Sequence, residues 1–148
     1  MRIAYKMELS EKVTKEPSVN LVKYTDSYKA EYTRIYNECY HEMRESLDIK
    51  PYDYIQSDSF FEHGMDDTYL LIDDDGGLIG GVAIKGNEID DLFVNIEFQG
   101  RNYGREIFLW ALTRIEATNI TLHVAAWNAK AISLYEKLGF RIVERIEF

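Results

Sequence analysis

The chain has 148 residues, of which 46% are hydrophobic and 14% aromatic, and its formal net charge is -9. The length fits one domain and the apolar content suffices for a packed core, which excludes a disordered or fibrous protein. The acidic balance argues against nucleic acid and anionic membranes as partners and favours cationic ligands such as amines, although acidic surfaces are also common in soluble proteins.

The cysteine content and the first residues both indicate a protein of the cytoplasm. Cys39 is the single cysteine, so an intrachain disulfide and a zinc cluster are excluded and no metal site is expected. The first residues are interrupted by charges and lack the apolar segment of a signal peptide. No apolar run is long enough to span a bilayer. We therefore expect a cytoplasmic protein.

The first part of the chain predicts two strands followed by two helices. The segments "RIAYKMEL" and "VNLVKYT" indicate strands at residues 2–9 and 19–25. A helix capped by Asp26 or Ser27 should follow, because apolar residues then recur at spacings of three and four: Tyr28, Tyr32, Ile35, Tyr36, Cys39 and Tyr40. A second helix is predicted over residues 51–61, opened by a proline.

The central segment is the clearest β region of the sequence. The runs Thr68–Ile72 and Leu78–Lys85 flank the turn "DDDGG" and predict a hairpin, and a third strand should follow at residues 88–96. The three adjacent aspartates also suggest a calcium loop. Such loops space their carboxylates at alternate positions and end in a distant glutamate, so this pattern favours a turn over a metal site.

The last part of the chain predicts two further helices and two further strands. In chain order they are a helix at 103–118, a strand at 119–126, a helix at 128–139 and a strand at 141–148. Asn128 suits the N-cap of the last helix, and Gly139 suits the left-handed position after its end. The strand-helix-strand unit at 88–126 should be parallel and right-handed. We expect a single domain over residues 1–148, with a mixed sheet and helices on both faces.

Residues 99–104, "QGRNYG", join a predicted strand to a predicted helix. A helix N-terminus carries unpaired N–H groups and partial positive charge, and glycines let several N–H groups converge on one anion. Arg101 and Arg105 add full positive charges. The loop therefore predicts a phosphate site, although an ordinary tight connection with surface arginines fits so short a motif equally well. It matches neither the Walker loop nor the dinucleotide motif.

Two segments together resemble the GNAT superfamily of N-acetyltransferases. The segment "QGRNYG" resembles the turn Gln/Arg-x-x-Gly-x-Gly/Ala that follows the fourth core strand of the family, and "NAKAISLYEKLGF" resembles a segment further downstream. The matched positions of the second segment are Asn128, Ala131, Leu134, Tyr135, Gly139 and Phe140. The resemblance covers nearly the whole chain. It implies an α/β fold with a mixed, mostly antiparallel twisted sheet and a parallel central pair.

The sequence departs from the family pattern at two positions. Asn102 replaces the first glycine of the loop, and Ile96 replaces a proline. Among residues with a side chain, asparagine tolerates positive φ best, so we expect Asn102 to keep the turn in a left-handed conformation. If Asn102 distorts the loop instead, the affinity for the cofactor should suffer.

The resemblance implies acetyl-CoA as the cofactor. Its diphosphate would bind the N–H groups of the loop, and its pantetheine arm would lie between two splayed strands and bond to the backbones of Leu92 and Val94. The Val94 N–H would face the thioester oxygen. The expected cofactor-binding residues are Leu92, Phe93, Val94, Gln99, Gly100, Arg101, Asn102, Tyr103, Gly104, Arg105 and Asn128.

The resemblance also implies an enzyme in which a primary amine attacks the acetyl group directly within a ternary complex. Glu88 matches the base of several family members, with Asp90 and Asp91 as nearby alternatives. Tyr135 matches the usual acid that protonates the departing thiolate. Their structural alternatives are a solvated carboxylate at a strand end for Glu88 and a core tyrosine for Tyr135.

Two questions stay open from the sequence alone. The first is whether the chain is a catalyst or a GNAT-fold sensor or subunit that binds acyl-CoA; Glu88 and Tyr135 favour the enzyme. The second is the acceptor, a small amine or a peptide amine, for which the tyrosines and carboxylates of residues 24–54 are suited. A homodimer is compatible with the resemblance. Cys39 and His123 lack a patterned partner and are expected to be buried structural residues.

Overall fold

The computed structural model describes residues 2–11, 13–116 and 118–148, which form one sheet and three α-helices. The strands are β1 (Ile3–Leu9), β2 (Val22–Lys23), β3 (Thr68–Ile72), β4 (Leu78–Lys85), β5 (Glu88–Val94), β6 (Ile120–Ala125) and β7 (Arg141–Glu147). The helices are α1 (Lys29–Ser46), α2 (Tyr103–Thr113) and α3 (Ala129–Lys137). In the residues described, no helix is long and apolar enough to cross a membrane.

The seven strands lie in the order β2-β3-β4-β5-β6-β1-β7, and one pair of neighbours is parallel, as predicted. Strands β2 to β5 pair antiparallel in sequence, and β1 lies antiparallel between β6 and β7. The parallel strands β5 and β6 pair only where Glu88 faces Thr121 and Ile89 faces Leu122. Beyond these residues the two strands separate, which leaves a gap in the sheet at their carboxyl ends.

Apolar side chains cover both faces of the sheet, so the predicted helices on both faces are confirmed. On one face α2 contributes six consecutive buried residues, 107–112, and α3 packs beside it. On the other face α1 packs Tyr32, Ile35 and Tyr36 against Leu70, Leu78 and Phe93. Burial of one such side chain stabilises the fold by about 1.5–3 kcal/mol. The apolar residues of α1, which recur at helical spacing, therefore hold this helix against the sheet.

A β-bulge interrupts β5 in front of the gap. The register between β4 and β5 shifts by one residue near Asp91, which has a φ of 48°. This left-handed conformation is uncommon for a residue with a side chain. Because the bulge shifts the alternation of side chains, Ile89 packs in the core beneath α2 while Phe93 packs in the core beneath α1.

The predicted helix over residues 51–61 is wrong. The segment consists of bends and a short 3-10 turn at Asp58–Phe61. Asn37 of α1 accounts for the difference, because its side chain donates to the Ile55 carbonyl and accepts from the Ile55 N–H, both at 2.9 Å. A helix through Ile55 would need the same two backbone groups for its own hydrogen bonds.

Other boundaries differ by a few residues. The strand predicted at 19–25 reduces to Val22–Lys23, which pairs with β3 at the edge of the sheet. A 3-10 turn at Asp26–Tyr28 precedes α1, which extends further than its tyrosine stripe. The helix predicted at 103–118 ends at Thr113, and Ala117 lies outside the described residues.

Candidate active site

The loop between β5 and α2 presents a row of free N–H groups. Gly100 and Asn102 have φ angles of 80° and 65°, so Asn102 adopts the left-handed conformation that was predicted. Within the described residues, the N–H groups of residues 100–105 make no hydrogen bonds. The last of them begin α2, and the first N–H groups of a helix have no partner inside it.

These N–H groups fit an anion such as a diphosphate. They lie at the N-terminus of α2, where the helix dipole adds partial positive charge. Gly104 lies beside β5, where a Cβ would lie 3.6 Å from the Val94 Cγ2 atom, an ordinary van der Waals contact. The residues present therefore suit the CoA diphosphate that the family resemblance implies.

The side-chain charge of this loop is smaller than the sequence suggests. Arg105 bonds Glu106 at 2.9 Å, and Glu106 also accepts the N–H and the hydroxyl of Ser18 at 2.7 and 2.8 Å. The bonds from Ser18 lower the pKa of Glu106, so this carboxylate stays charged and offsets Arg105. Arg101 has no acidic partner among the described residues, and its guanidinium lies 5.7 Å from the ring centroid of Phe98.

Val94 turns its backbone polar groups into the gap between β5 and β6. The Asn95 N–H donates to the Ile79 carbonyl on β4 at 2.7 Å, and successive residues of a strand alternate in direction. The Val94 carbonyl accepts the Cys39 thiol at 3.0 Å and the Gln99 side-chain amide at 2.9 Å. The Val94 N–H lies on the same side of the strand, so it also faces the gap.

Leu92 and Phe93 differ in how they meet the gap. The Leu92 carbonyl accepts the Tyr40 hydroxyl at 2.9 Å, so the Leu92 N–H is the backbone group left without a bond for a ligand. Phe93 pairs with Gly81 of β4, and its ring lies 5.2 Å from that of Tyr32 beneath α1. Phe93 is therefore a core residue whose backbone faces β4, because successive residues of a strand alternate and its neighbours Leu92 and Val94 face the gap.

Tyr135 lies on α3 with its ring in the core beneath α2 and α3. The ring centroid is 4.8 Å from that of Phe108 and 6.3 Å from that of Phe140. Burial raises the pKa of Tyr135 to about 12, so the phenol keeps its proton at neutral pH. Burial raises the pKa of Tyr40, whose hydroxyl bonds the Leu92 carbonyl of β5.

Asn128 is the N-cap of α3, as predicted. Its Oδ1 atom accepts the Ala131 N–H at 3.2 Å, and its side-chain amide NH₂ remains available. At the other end of α3, Gly139 has a φ of 102°, and the Phe140 N–H donates to the Tyr135 carbonyl at 3.0 Å. This arrangement is a Schellman motif, which fixes the helix that carries Tyr135.

Three carboxylates of β5 have three different sets of neighbours. Glu88 Oε1 lies 2.8 Å from His123 Nδ1, and Asp90 Oδ2 lies 3.6 Å from Lys85 Nζ. Asp91 accepts the Tyr36 hydroxyl at 3.0 Å. Burial and the neighbouring Asp90 raise the pKa of Asp91, although the Tyr36 hydrogen bond and Lys85 act in the opposite direction.

Comparison with known proteins identifies the family. The profile of the Acetyltransferase (GNAT) family matches residues 29–140. The chain belongs to the GNAT family. Over 79 residues it is 28% identical to the peptidyl-lysine N-acetyltransferase YjaB of Salmonella typhimurium, a match that covers 53% of both chains. The chain thus spans about half the length of the curated relatives it matches.

Solved structures share the GNAT fold with this chain. The solution structure of apo YjaB from Escherichia coli has a TM-score of 0.63 and 17% identity, with 84% of each chain covered. The spermidine N-acetyltransferase from Vibrio cholerae, solved with CoA and spermine, has a TM-score of 0.59 and 20% identity, with 82% of this chain and 79% of that chain covered. At such identities the likeness shows the fold.

Two expectations about side chains of this GNAT site are wrong in part. His123 is not buried: 45% of its side chain is exposed, and it pairs with Glu88. Cys39 is only half-buried, and its thiol bonds β5 at the gap. Burial raises the pKa of this thiol to about 11. Within the described residues, no three His, Cys, Asp or Glu side chains gather as a metal site requires.

The sequence did not reveal that α1 supplies part of the candidate site. Tyr36, Cys39 and Tyr40 bond Asp91, Val94 and Leu92 of β5, respectively. Their helical spacing predicted a stripe that faces the sheet, but no local signal indicates which strand a helix covers. The polar ends of these side chains were the available clue, since a buried hydroxyl or thiol needs an acceptor.

Proposed function

We propose that this protein is an N-acetyltransferase that moves an acetyl group from acetyl-CoA to a primary amine by direct attack within a ternary complex. The observation that carries the proposal is the gap between β5 and β6, which the Val94 N–H faces and which the free N–H groups of residues 100–105 adjoin. Membership of the GNAT family and the similarity to a peptidyl-lysine N-acetyltransferase support it.

The loop and the gap would hold acetyl-CoA. The N–H groups of residues 100–105 would donate to the diphosphate, and Arg101 would add a cation. Leu92 and Val94 would offer their N–H groups to the pantetheine arm. Gln99 would act indirectly, because its amide already holds the Val94 carbonyl. Asn128 would use the amide NH₂ that its capping bond leaves available.

Acetyl-CoA, when bound, supplies the acetyl group as a thioester whose carbonyl carbon an amine can attack. The Val94 N–H would stabilise the negative charge that develops on the thioester oxygen. Tyr135 would donate its proton to the departing sulfur, since its raised pKa keeps the phenol protonated at neutral pH. A carboxylate of β5 would take the proton that the amine must lose before it attacks.

The acceptor in this proposal is a primary amine on a small molecule or on a peptide. The net charge of -9 draws cations to the protein and repels anions. One relative is named for peptidyl-lysine, and one structural neighbour was solved with spermine. These names support an amine acceptor and leave the choice between the two kinds to experiment.

Cofactor binding is tested by calorimetry. CoA should bind far more tightly than pantetheine without phosphates, because the loop recognises the diphosphate. Arg101→Ala should weaken CoA binding, whereas Arg114→Ala should not, since Arg114 lies over Trp110 beyond the end of α2. Equal affinities for CoA and pantetheine would contradict the role of the loop.

Catalysis is tested by the release of free thiol from acetyl-CoA with spermine, a lysine-containing peptide and benzylamine as acceptors. We expect thiol release with at least one of them, together with the acetylated amine in mass spectra. Tight binding of CoA without thiol release from any acceptor would instead indicate a GNAT-fold module that binds acyl-CoA without catalysis.

A further inference from the structure

The carboxylates of β5 differ in the groups that lie next to them. Glu88 Oε1 lies 2.8 Å from the imidazole Nδ1 of His123, and Asp90 lies 3.6 Å from the ammonium group of Lys85. In the described part of the chain, Asp91 has no cation within salt-bridge distance, and its bonding partner is the neutral hydroxyl of Tyr36. A half-buried carboxylate without a cation is costly, so a cationic ligand would stabilise Asp91 more than Asp90, which already pairs with Lys85.

Asp91, at the bulge, lies closer than Glu88 to the end of the gap that Val94 occupies. Asp91 directly precedes Leu92 and lies three residues before Val94. At about 3.3 Å per residue, Asp91 lies roughly 10 Å along the strand from Val94, whereas Glu88 lies roughly 20 Å away. Glu88 also sits where β5 and β6 are still paired, before the gap opens.

Strain in the backbone indicates that the position of Asp91 is held by its surroundings. Its φ of 48° is unfavourable for a residue with a side chain, and such conformations persist where the surrounding structure imposes them. Tyr36 bonds the Asp91 carboxylate, and Tyr40 bonds the next carbonyl along the strand. Two neighbouring turns of α1 therefore hold the bulge, with the carboxylate on the α1 side of the gap and Tyr135 on the α3 side.

We propose that Asp91, held by Tyr36, binds the ammonium group of the acceptor amine and accepts its proton. This inference rests on the proposed acetyltransferase function. The Asp91 carboxylate takes one proton from the ammonium group, and the neutral amine forms a bond to the thioester carbon as the carbon–sulfur bond breaks. The sulfur takes the proton of Tyr135, the nitrogen releases a second proton that restores Tyr135 through water, and Asp91 returns its own proton to solvent.

The charges around Asp91 suit a base that works near neutral pH. The groups that face it are Tyr32, Tyr36 and Tyr40 on α1, Asp90 on β5 and Lys85 on β4. Burial raises the pKa values of the three phenols, so they stay neutral and do not repel the carboxylate. Burial and Asp90 raise the pKa of Asp91 itself, which makes it a stronger base than an exposed aspartate.

The first test compares Asp91→Asn with two matched variants, Glu88→Gln and Asp90→Asn. For spermine at neutral pH, Asp91→Asn should lower kcat/KM by about 10²-fold or more, the usual effect of losing a general base, and the matched variants should lower it by less. The loss should be much smaller for trifluoroethylamine, which is largely uncharged at neutral pH and needs no base. An equal loss for both amines, or a larger loss in Glu88→Gln, would overturn the assignment.

The second test does not depend on turnover. Spermine is titrated into the complex of the protein with CoA, and Asp91→Asn should bind it more weakly, while all variants keep the CoA affinity of the wild type. Unchanged spermine binding by Asp91→Asn would overturn the proposal. If the wild type binds CoA and releases no thiol with any acceptor, the acetyltransferase function fails, and spermine binding still decides whether Asp91 holds an amine.

Tyr36→Phe gives a third measurement that a merely structural role would not produce. The hydroxyl of Tyr36 lowers the pKa of Asp91, so its removal should raise this pKa further. The acidic limb of the kcat/KM profile, where Asp91 becomes protonated and inactive, should therefore move to higher pH. A profile that stays in place in Tyr36→Phe, with CoA binding intact, would contradict the link between Tyr36 and the base.

Discussion

Tyr135 combines a packed ring with a hydroxyl that its packing does not use. The ring contacts Phe108 and Phe140, and the side chain is only partly buried. The core position and the catalytic position are therefore compatible in one side chain. A substitution that removes only the hydroxyl tests the proposed catalytic role without removing the packed ring.

Tyr135→Phe should leave the free energy of unfolding and the CoA affinity nearly unchanged. It should lower kcat and kcat/KM together, by about 10²–10⁴-fold, because general acid catalysis acts only in the transition state. Steady-state thiol release and CoA calorimetry on the same preparations check this. Turnover at the wild-type rate, with chemistry rate-limiting, would mean that the sulfur takes its proton from water or another side chain.

Asn102 replaces a glycine that other family members have, yet its φ of 65° keeps the left-handed turn. Asn102→Gly should therefore bind CoA as the wild type does, with a small change in stability. Asn102→Val should weaken CoA binding, because a β-branched residue resists positive φ and would distort the row of N–H groups. Calorimetry that finds equal CoA affinity for Val and Asn at this position would refute the conformational argument.

Local rules predicted single residues of this site well where one short segment decides the outcome. The N-cap role of Asn128, the left-handed Asn102 and the turn at Gly139 each depend on a few neighbouring residues. The neighbours of Asp91 depend instead on a bulge and on a helix more than fifty residues earlier in the chain, such as Tyr36 at a separation of 55. Periodicity carries no information about such contacts.

At the scale of elements, the failed second helix shows tertiary contacts overriding a local signal. Proline at the start of 51–61 suggested a helix, but Asn37 of α1 holds both backbone groups of Ile55. The side chain of one helix thus determines the conformation of the next segment. The predictions of the strands were more accurate, because the alternation of apolar residues and the turn residues that determine a strand lie close together in the sequence.

Asn37→Ala should destabilise the fold by about 1–3 kcal/mol, since it leaves the N–H and carbonyl of Ile55 without partners in a partly buried place. Glu38→Ala, one position along the same helix, is the control. It removes an exposed pair with Arg34 and should cost no more than about 0.5 kcal/mol. Urea unfolding of both variants measures the difference, and equal losses would show that Asn37 does not hold the segment.

Gly80 lets β4, β5 and α2 approach one another closely. A Cβ atom at this position would clash with the Phe93 carbonyl and lie 2.9 Å from the Ile107 Cδ1 atom. Gly80→Ala should therefore lower the free energy of unfolding by about 1–3 kcal/mol. Gly77→Ala, where a Cβ meets nothing within 4 Å, should change it little. Denaturant unfolding that finds Gly80→Ala as stable as Gly77→Ala would show that the strands can shift to admit the methyl group.

The charge of the whole molecule should affect polycations more than simple amines. With a net charge of -9, the protein attracts spermine over a distance that salt shortens to about 10 Å at 0.1 M. KM for spermine should rise steeply with added NaCl, whereas KM for benzylamine should rise much less. Initial rates at several salt concentrations check this, and parallel slopes would mean that the net charge does not steer the acceptor.

The position of β1 in the sheet also has a consequence for the order of folding. Ala4 of β1 pairs with Ala125 of β6, so the strand at the start of the chain joins its partners only by closing a loop of on the order of a hundred residues. Such long-range pairing slows folding. During synthesis on a ribosome, β1 would emerge before β6 and β7 and would lack its partner strands until both had been made. Until then, the alternating apolar residues of β1 would remain accessible to chaperones.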